Sequence, residues 1–219
     1  FHLNGSTGYG YGDVGRDLFE KIWADVFKAE RALVRASILS GTHAIAIALL
    51  GILQAGDEFV SISGMPYDTL QKVIGHGEAG TVSANGAKHI VVELKDDDFD
   101  YPEIAKAVHK GTKMVCIQRS RGYSWRKSLS IAKIARAKFV KEIDENIIIF
   151  VDNCYGEFVE LKEPLEVGCD LIAGSLIKNP GGTLAPRGGY VAGREDLVEL
   201  ASIRLSAPGI AGEVGSALD

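Results

Sequence analysis

The stretch Ile147-Ile148-Ile149-Phe150-Val151-Asp152-Asn153-Cys154-Tyr155-Gly156-Glu157 decides how this chain is read. An unbroken apolar run rich in β-branched residues, with no polar alternation, describes a strand buried on both faces. It stops abruptly at a carboxylate and gives way to a polar, Gly-containing loop. Working outward, further short apolar runs stand at 32–36, 59–62, 90–94, 114–117, 171–173 and 190–192. Between them lie stretches with helical periodicity. Residues 16–27 place Leu18, Ile22 and Val26 on one face, and 42–53 forms an apolar helix that Ser40 or Thr42 can cap. Residues 66–74, 102–109, 131–141 and 195–203 also read as helical. Strands alternating with helices imply βαβ units, an α/β fold and a mostly parallel sheet covered on both sides. Ligands of such sheets sit beyond the carboxyl ends of the strands, so the loops after each apolar run are where chemistry is sought. The Gly/Ala-rich polar stretch 77–86 reads as a mobile loop.

Composition sets outer bounds. The 219 residues are 46% hydrophobic and 24% charged, with a net charge of −5, which is ordinary globular usage. Acids and bases are interspersed, which argues against a nucleic-acid surface, where Lys and Arg cluster. No apolar run reaches membrane-spanning length; the longest, near 44–53, is broken by Gly51. Three cysteines, Cys116, Cys154 and Cys169, with no C-x-x-C pair, fit free thiols in a reducing cytoplasm and give no zinc signal. The five histidines are scattered without metal-ligand spacing. The chain opens at Phe1 rather than Met, and the expectation is a piece of a longer protein.

Three constellations carry chemistry. Ser40-Gly41-Thr42-His43-Ala44 follows a strand and opens an apolar helix. Helix-terminal N–H groups bind phosphate, small residues let it approach, and the hydroxyls add donors; a plain N-cap is the simpler reading of the motif alone. Asp152 at its strand end can hold a pyridinium N–H and keep the ring an electron sink; an Asx turn is the simpler reading of an isolated Asp. Lys178 stands in Leu171-Ile172-Ala173-Gly174-Ser175-Leu176-Ile177-Lys178-Asn179-Pro180-Gly181-Gly182. Burial in that apolar setting lowers a lysine pKa and makes the amine nucleophilic, although most lysines are simply solvated. Arg121, or Arg119, in Gln118-Arg119-Ser120-Arg121-Gly122-Tyr123 stands where a strand-end guanidinium can bind a substrate carboxylate or serve a surface ion pair. Gly10-Tyr11-Gly12-Asp13-Val14-Gly15 satisfies a G-x-G-x-x-G pattern, but no buried strand precedes it, so a flexible arm fits better than a dinucleotide site.

The order of these motifs, with the aromatic loop at Met65-Pro66-Tyr67-Asp68-Thr69, resembles the fold-type I pyridoxal-phosphate (PLP) enzymes, the aminotransferase-like superfamily. Within it the chain is similar to the Cys/Met-metabolism branch that includes cystathionine lyases and methionine γ-lyase. The strings STGYGYGDVGRD (6–17), SGTHAIA (40–46), QRSRGY (118–123), FVDNCYGEFVE (150–160) and SLIKNPGG (175–182) look like the family named aluminium-resistance protein, or cystathionine β-lyase-like protein. The resemblance covers almost the whole chain.

The resemblance implies a three-layer large domain with a mostly parallel, seven-stranded sheet and PLP as cofactor. It implies Lys178 as the Schiff-base lysine and Asp152 as the partner of the pyridine nitrogen. Ser40, Gly41 and Thr42 match the phosphate loop, Ser175 a second phosphate hydroxyl, and Tyr67 the aromatic stacked on the ring, with Asn153 beside Asp152 near the ring substituents. Relatives carry a Tyr-x-Arg that reaches a neighbouring subunit's phosphate; here Tyr9 and Tyr11 hold those positions and Arg16 follows. Arg121 and Tyr123 are expected at the substrate. Residues 1–30 then read as an arm and first helix that touch a neighbouring subunit, 31–205 as the PLP domain, and 206–219 as the start of a connection to a small domain not included. The implied activity is carbon–sulfur lysis of a sulfur amino acid by β- or γ-elimination in a homodimer or homotetramer. Transamination, a non-catalytic or regulatory PLP-binding role, and a nucleotide-binding dehydrogenase are the other readings.

Overall fold

The computed structural model describes residues 2–216. Phe1 and the end of the expected connection, 217–219, lie outside the described residues. In chain order the elements are α1 (Val14–Phe27), β1 (Arg31–Arg35), α2 (Gly41–Ile52), β2 (Glu58–Ser61), α3 (Asp68–Ile74) and β3 (Lys88–Val91). A two-stranded hairpin, β4 (Leu94–Lys95) and β5 (Asp98–Phe99), leads to α4 (Tyr101–Ala107), β6 (Thr112–Gln118), α5 (Ile131–Arg136) and α6 (Val140–Ile143). The chain continues through β7 (Ile148–Asp152), β8 (Leu171–Ser175), β9 (Gly189–Gly193) and α7 (Glu195–Leu205).

Seven strands form one sheet in the order β1-β9-β8-β7-β6-β2-β3. The pairs from β8 through β7, β6 and β2 to β3 are parallel. Only β9 runs against its neighbours β1 and β8. The sheet is the middle of three layers. Strand alternation sends Ile149, Val151, Val115, Ile117 and Ile172 to one face, where α1, α4, α5 and α6 cover them. Ile148, Phe150, Met114, Leu171 and Ala173 point to the other, against α2, α3 and α7. The continuous apolar run that opened the sequence argument is thus explained: β7 is central and dry on both sides. The same alternation sends Asp152 to the α2 side and Asn153 to the opposite one.

Three sequence expectations need correction. In α1 the buried positions are Arg16, Trp23, Ala24 and Phe27, whereas Ile22 and Val26 are 48% and 45% exposed. The two large aromatics set the rotation. Trp23 and Phe27 pack on each other and on Tyr190 of β9, at 5.1–5.5 Å between ring centroids, burying more apolar area than the aliphatic stripe would. The helix expected over 131–141 is interrupted by a tighter turn at Ala137–Phe139. The Gly/Ala-rich stretch 77–86 is folded rather than loose. Val82 is buried in the second core, its N–H bonds to the Val73 carbonyl, and Thr81 packs against Gly75 where any side chain would clash. Among the described residues no helix is long and apolar enough to cross a membrane.

Candidate active site

The carboxyl ends of β6, β7 and β8 lie side by side, with Gln118 paired to Asp152 and Asp152 to Ala173. Beyond them opens a cavity of about 490 Å³. Its floor is Asp152 with Cys154. One wall is Ser40, Gly41 and Thr42, and another is Ser175, Ile177 and Lys178. Tyr67 and Tyr155 close it laterally, and Ser120, Arg121, Gly122 and Tyr123 form the far side. Of the residues expected from the sequence, Lys178, Asp152, Tyr67, Ser40, Gly41, Thr42, Ser175, Arg121 and Tyr123 are therefore brought to one cavity, although they come from five segments of the chain.

Each wall has a local cause. α2 begins at Gly41 with Ser40 as N-cap, whose Oγ accepts from the His43 N–H at 3.1 Å, so the plain capping role is present. The first turn still leaves the Gly41 and Thr42 N–H groups without intrahelical carbonyls, and both residues face the cavity. Glycine is required at 41, because a Cβ there would lie 2.6 Å from Cys154 Sγ. Gly41→Ala is predicted to push the α2 start away from the Cys154 loop and to weaken cofactor retention at least tenfold with little change in secondary structure; titration of cofactor-free protein with PLP checks this. Ser175, fully buried, donates to the Gly188 carbonyl at 3.3 Å. The Tyr67 hydroxyl meets Thr42 Oγ1 at 2.8 Å, and its backbone N–H donates to Gln118 Oε1 at 3.0 Å. Burial pushes the Tyr67 phenol well above its ordinary range, so it keeps its proton.

Asp152 is 5% exposed. One carboxylate oxygen accepts the Cys154 N–H at 3.1 Å, which is the Asx turn that an isolated Asp suggested. Burial raises its pKa to about 6, opposed by the bonds from Cys154 and by the positive charge of Lys178. Lys178 is half-buried rather than buried. Its Nζ lies 3.8 Å from the Tyr155 ring centroid and donates to the Tyr155 hydroxyl.

Four expected residues are elsewhere. Asn153 is fully buried but on the opposite sheet face. Its Oδ1 accepts from Arg119 Nη1 at 2.8 Å and its Nδ2 donates to Glu163 at 3.0 Å, so strand alternation removes it from the ring substituents. Arg16 is buried, donating to the carbonyls of Gly10, Glu213 and Gly215; it ties the N-terminal arm to the C-terminal segment instead of pointing to a ligand. Tyr9 and Tyr11, 76% and 61% exposed, lie outside this cavity. Sequence reasoning missed Tyr155 and Cys154 as lining residues. The signal was present in their positions, three and two residues after the strand-end Asp.

The residues fit the cofactor that the sequence suggested. A helix start with no room for a Cβ, its first-turn N–H groups outside the helical ladder, faces the same space as a buried carboxylate that makes no ion pair among the described residues, a half-buried amine and an aromatic ring. The volume lies within the range of roughly 300–1,000 Å³ common for such sites. Among the described residues no group of His, Cys, Asp and Glu is placed to hold a metal.

The family described as methionine gamma-lyase matches residues 1–219. The chain belongs to that family. The Bacillus subtilis (strain 168) protein YnbB, uncharacterized by name, is 53% identical over 222 residues, covering 99% of this chain and 53% of its own. A Listeria innocua crystal structure named "putative cystathionine beta-lyase involved in aluminum resistance" superposes with a TM-score of 0.97 at 55% identity, over 100% of this chain and 54% of that one. The apo CalE6 methionine gamma lyase of Micromonospora echinospora is more distant, with a TM-score of 0.69 and 25% identity over 93% of this chain and 50% of that one. The chain thus spans about half the length of these relatives. Membership implies PLP binding and lyase-type chemistry at the level of the family.

Proposed function

We propose that this chain forms the PLP-binding part of a carbon–sulfur lyase acting on a sulfur-containing amino acid. What carries the reading is that Lys178, Asp152, Tyr67, Ser175 and the Ser40–Thr42 turn line one cavity. The first-turn N–H groups of α2 and the hydroxyls of Ser40 and Thr42 hold the phosphate, joined by Ser175 once its hydroxyl turns from the Gly188 carbonyl. Asp152 holds the proton of the ring nitrogen, and Tyr67 offers its flat face to the ring. PLP, when bound through Lys178, supplies an electron sink for charge at the substrate α-carbon. The freed Lys178 amine takes the α-proton as general base. The Tyr67 phenol is the group assigned to assist proton movement at the leaving thiol. The Arg121 guanidinium receives the substrate carboxylate, with Tyr123 beside it, and the chemistry is β- or γ-elimination. Tyr9 and Tyr11, projecting from the arm, reach the site of a second copy in a homodimer or homotetramer, and the chain leads into a smaller domain after residue 205.

The test is a screen of sulfur amino acids with the full-length protein, scoring keto-acid and thiol release together, with Lys178→Ala as control. Release of both products by the native protein alone is expected. Keto acid without thiol identifies a different PLP reaction, and neither product from any member of the set overturns the proposal.

A further inference from the structure

Tyr155 has an unusual backbone for its size. Its φ is +67°, the left-handed region that bulky residues avoid because Cβ crowds the backbone. Such strain persists only where the surroundings impose it, and it gathers at functional sites. Here the surroundings do impose it. Gly156 follows, with its N–H on the Asn153 carbonyl at 2.8 Å and no room for a side chain, since a Cβ would meet Arg119 Cδ at 2.4 Å. Arg119, 3% exposed, is itself fixed by Asn153 at 2.8 Å and Glu160 at 3.0 Å. Glu163 ties Asn153 and the Phe158 N–H into the same buried cluster. The network on the far side of the sheet therefore clamps the loop from both sides of residue 155.

The forced conformation aims the side chain outward, 57% exposed, so it is not held there by core packing. It ends at one partner: the ring face and the hydroxyl both meet Lys178 Nζ. Tyr155 also stands between the main cavity and a second space of about 260 Å³ that contains Arg119, Ser130 and Glu160.

We propose that Tyr155 is a catalytic residue of this site that holds the Lys178 amine, the strained turn and its Arg119–Asn153–Glu163 scaffold existing to place it. This deepens the proposed function and rests on it for Lys178 being the reactive amine. When Nζ is not covalently engaged, the phenol oxygen accepts its N–H, and the ring attracts it further once it has taken a proton, so the amine stays beside the cavity instead of swinging into solvent.

The test compares full-length wild type, Tyr155→Phe and Tyr155→Gly. In cofactor-free protein, trinitrobenzenesulfonate labelling of Lys178, followed by peptide mass, should be about threefold faster in Tyr155→Phe and about tenfold faster in Tyr155→Gly. The melting temperature of Tyr155→Gly should equal or exceed wild type, because the strain is gone and little packing is lost; a merely structural tyrosine would give a fall. On the sulfur amino acid that the screen identifies, kcat should drop about tenfold with KM within twofold. Labelling of Lys178 within twofold of wild type in both variants overturns the contact. Faster labelling with an unchanged kcat, or a lowered melting temperature in Tyr155→Gly, overturns the catalytic role. A wild type that neither retains PLP nor turns over sulfur amino acids sinks the proposed function instead, and the labelling comparison still decides whether Tyr155 holds the amine.

Discussion

Full-length protein carrying Lys178→Ala is expected to show no absorbance band of covalently held PLP and to lose at least about a hundredfold in turnover, the scale on which a positioned general base acts. Two functions end together: the covalent anchor and the base that takes the α-proton. Loss of folding is not the cause expected. Lys178 is half-buried in a loop between β8 and a short turn, and its side-chain contacts are with Tyr155. Such substitutions cost within roughly 1 kcal/mol. Urea denaturation alongside the absorbance scan separates the two. A variant as stable as wild type and still carrying the band would show that another amine is used.

The second large effect is at Asp152, and its sign is opposite for stability and for activity. The carboxyl rises from 3.8 to about 6 in the folded protein, chiefly through burial. Between about pH 4 and 6 the native state keeps a proton that the unfolded chain releases. The native state binds more protons there, so stability falls as pH rises through that window. At 1.36 kcal/mol per pKa unit the loss is on the order of 3 kcal/mol above pH 6. Asp152→Asn removes the charge, keeps an oxygen for the Cys154 N–H, and should make cofactor-free protein more stable at pH 8 by about 2–3 kcal/mol, with the advantage vanishing near pH 4. Glu157, lifted to about 7 chiefly by its own burial, adds a similar slope that reaches higher pH; the Asp152 charge contributes to that lift, so Asp152→Asn relieves part of it and adds to the variant's advantage at pH 8. An amide cannot balance a protonated ring nitrogen, and kcat should fall about a hundredfold or more, as when one preorganised electrostatic group is removed. Chemical denaturation at pH 4.5 and pH 8, paired with kcat, checks both signs. A variant less stable than wild type at pH 8 would mean that the carboxylate is already well paired in the protein alone.

How far the sequence could be read follows from which forces are local. β7 was legible because a central parallel strand must be apolar on every residue, and the β-α alternation around it fixes the sheet type. That the Ser40–Thr42 turn, Asp152 and Lys178 meet at one cavity was legible from the order of the motifs and the family resemblance, helped by their standing at strand and helix ends. What failed depended on partners distant in sequence. The inward face of α1 is chosen by Tyr190, 167 residues beyond Trp23, and no periodicity within the helix contains that. The resemblance sets Asn153 beside Asp152 near the ring substituents, yet neighbours along an extended chain point to opposite faces, and applying that alternation separates them. The apolar run before Lys178 suggests burial, but only Leu171–Ser175 enter the sheet core; Ile177 is 44% exposed, and the Lys178 side chain follows the loop outward. Tyr155 could be found only once its backbone conformation and its contact with Lys178 were seen together.

The claim beneath all of this is that one cavity at the carboxyl ends of β6, β7 and β8 holds PLP fixed to Lys178. Borohydride reduction of the PLP-loaded full-length protein, followed by peptide mass mapping, tests it most directly. The pyridoxyl mass is predicted on the peptide containing Lys178 at one per chain; its appearance on a different lysine, or on none, would contradict the account.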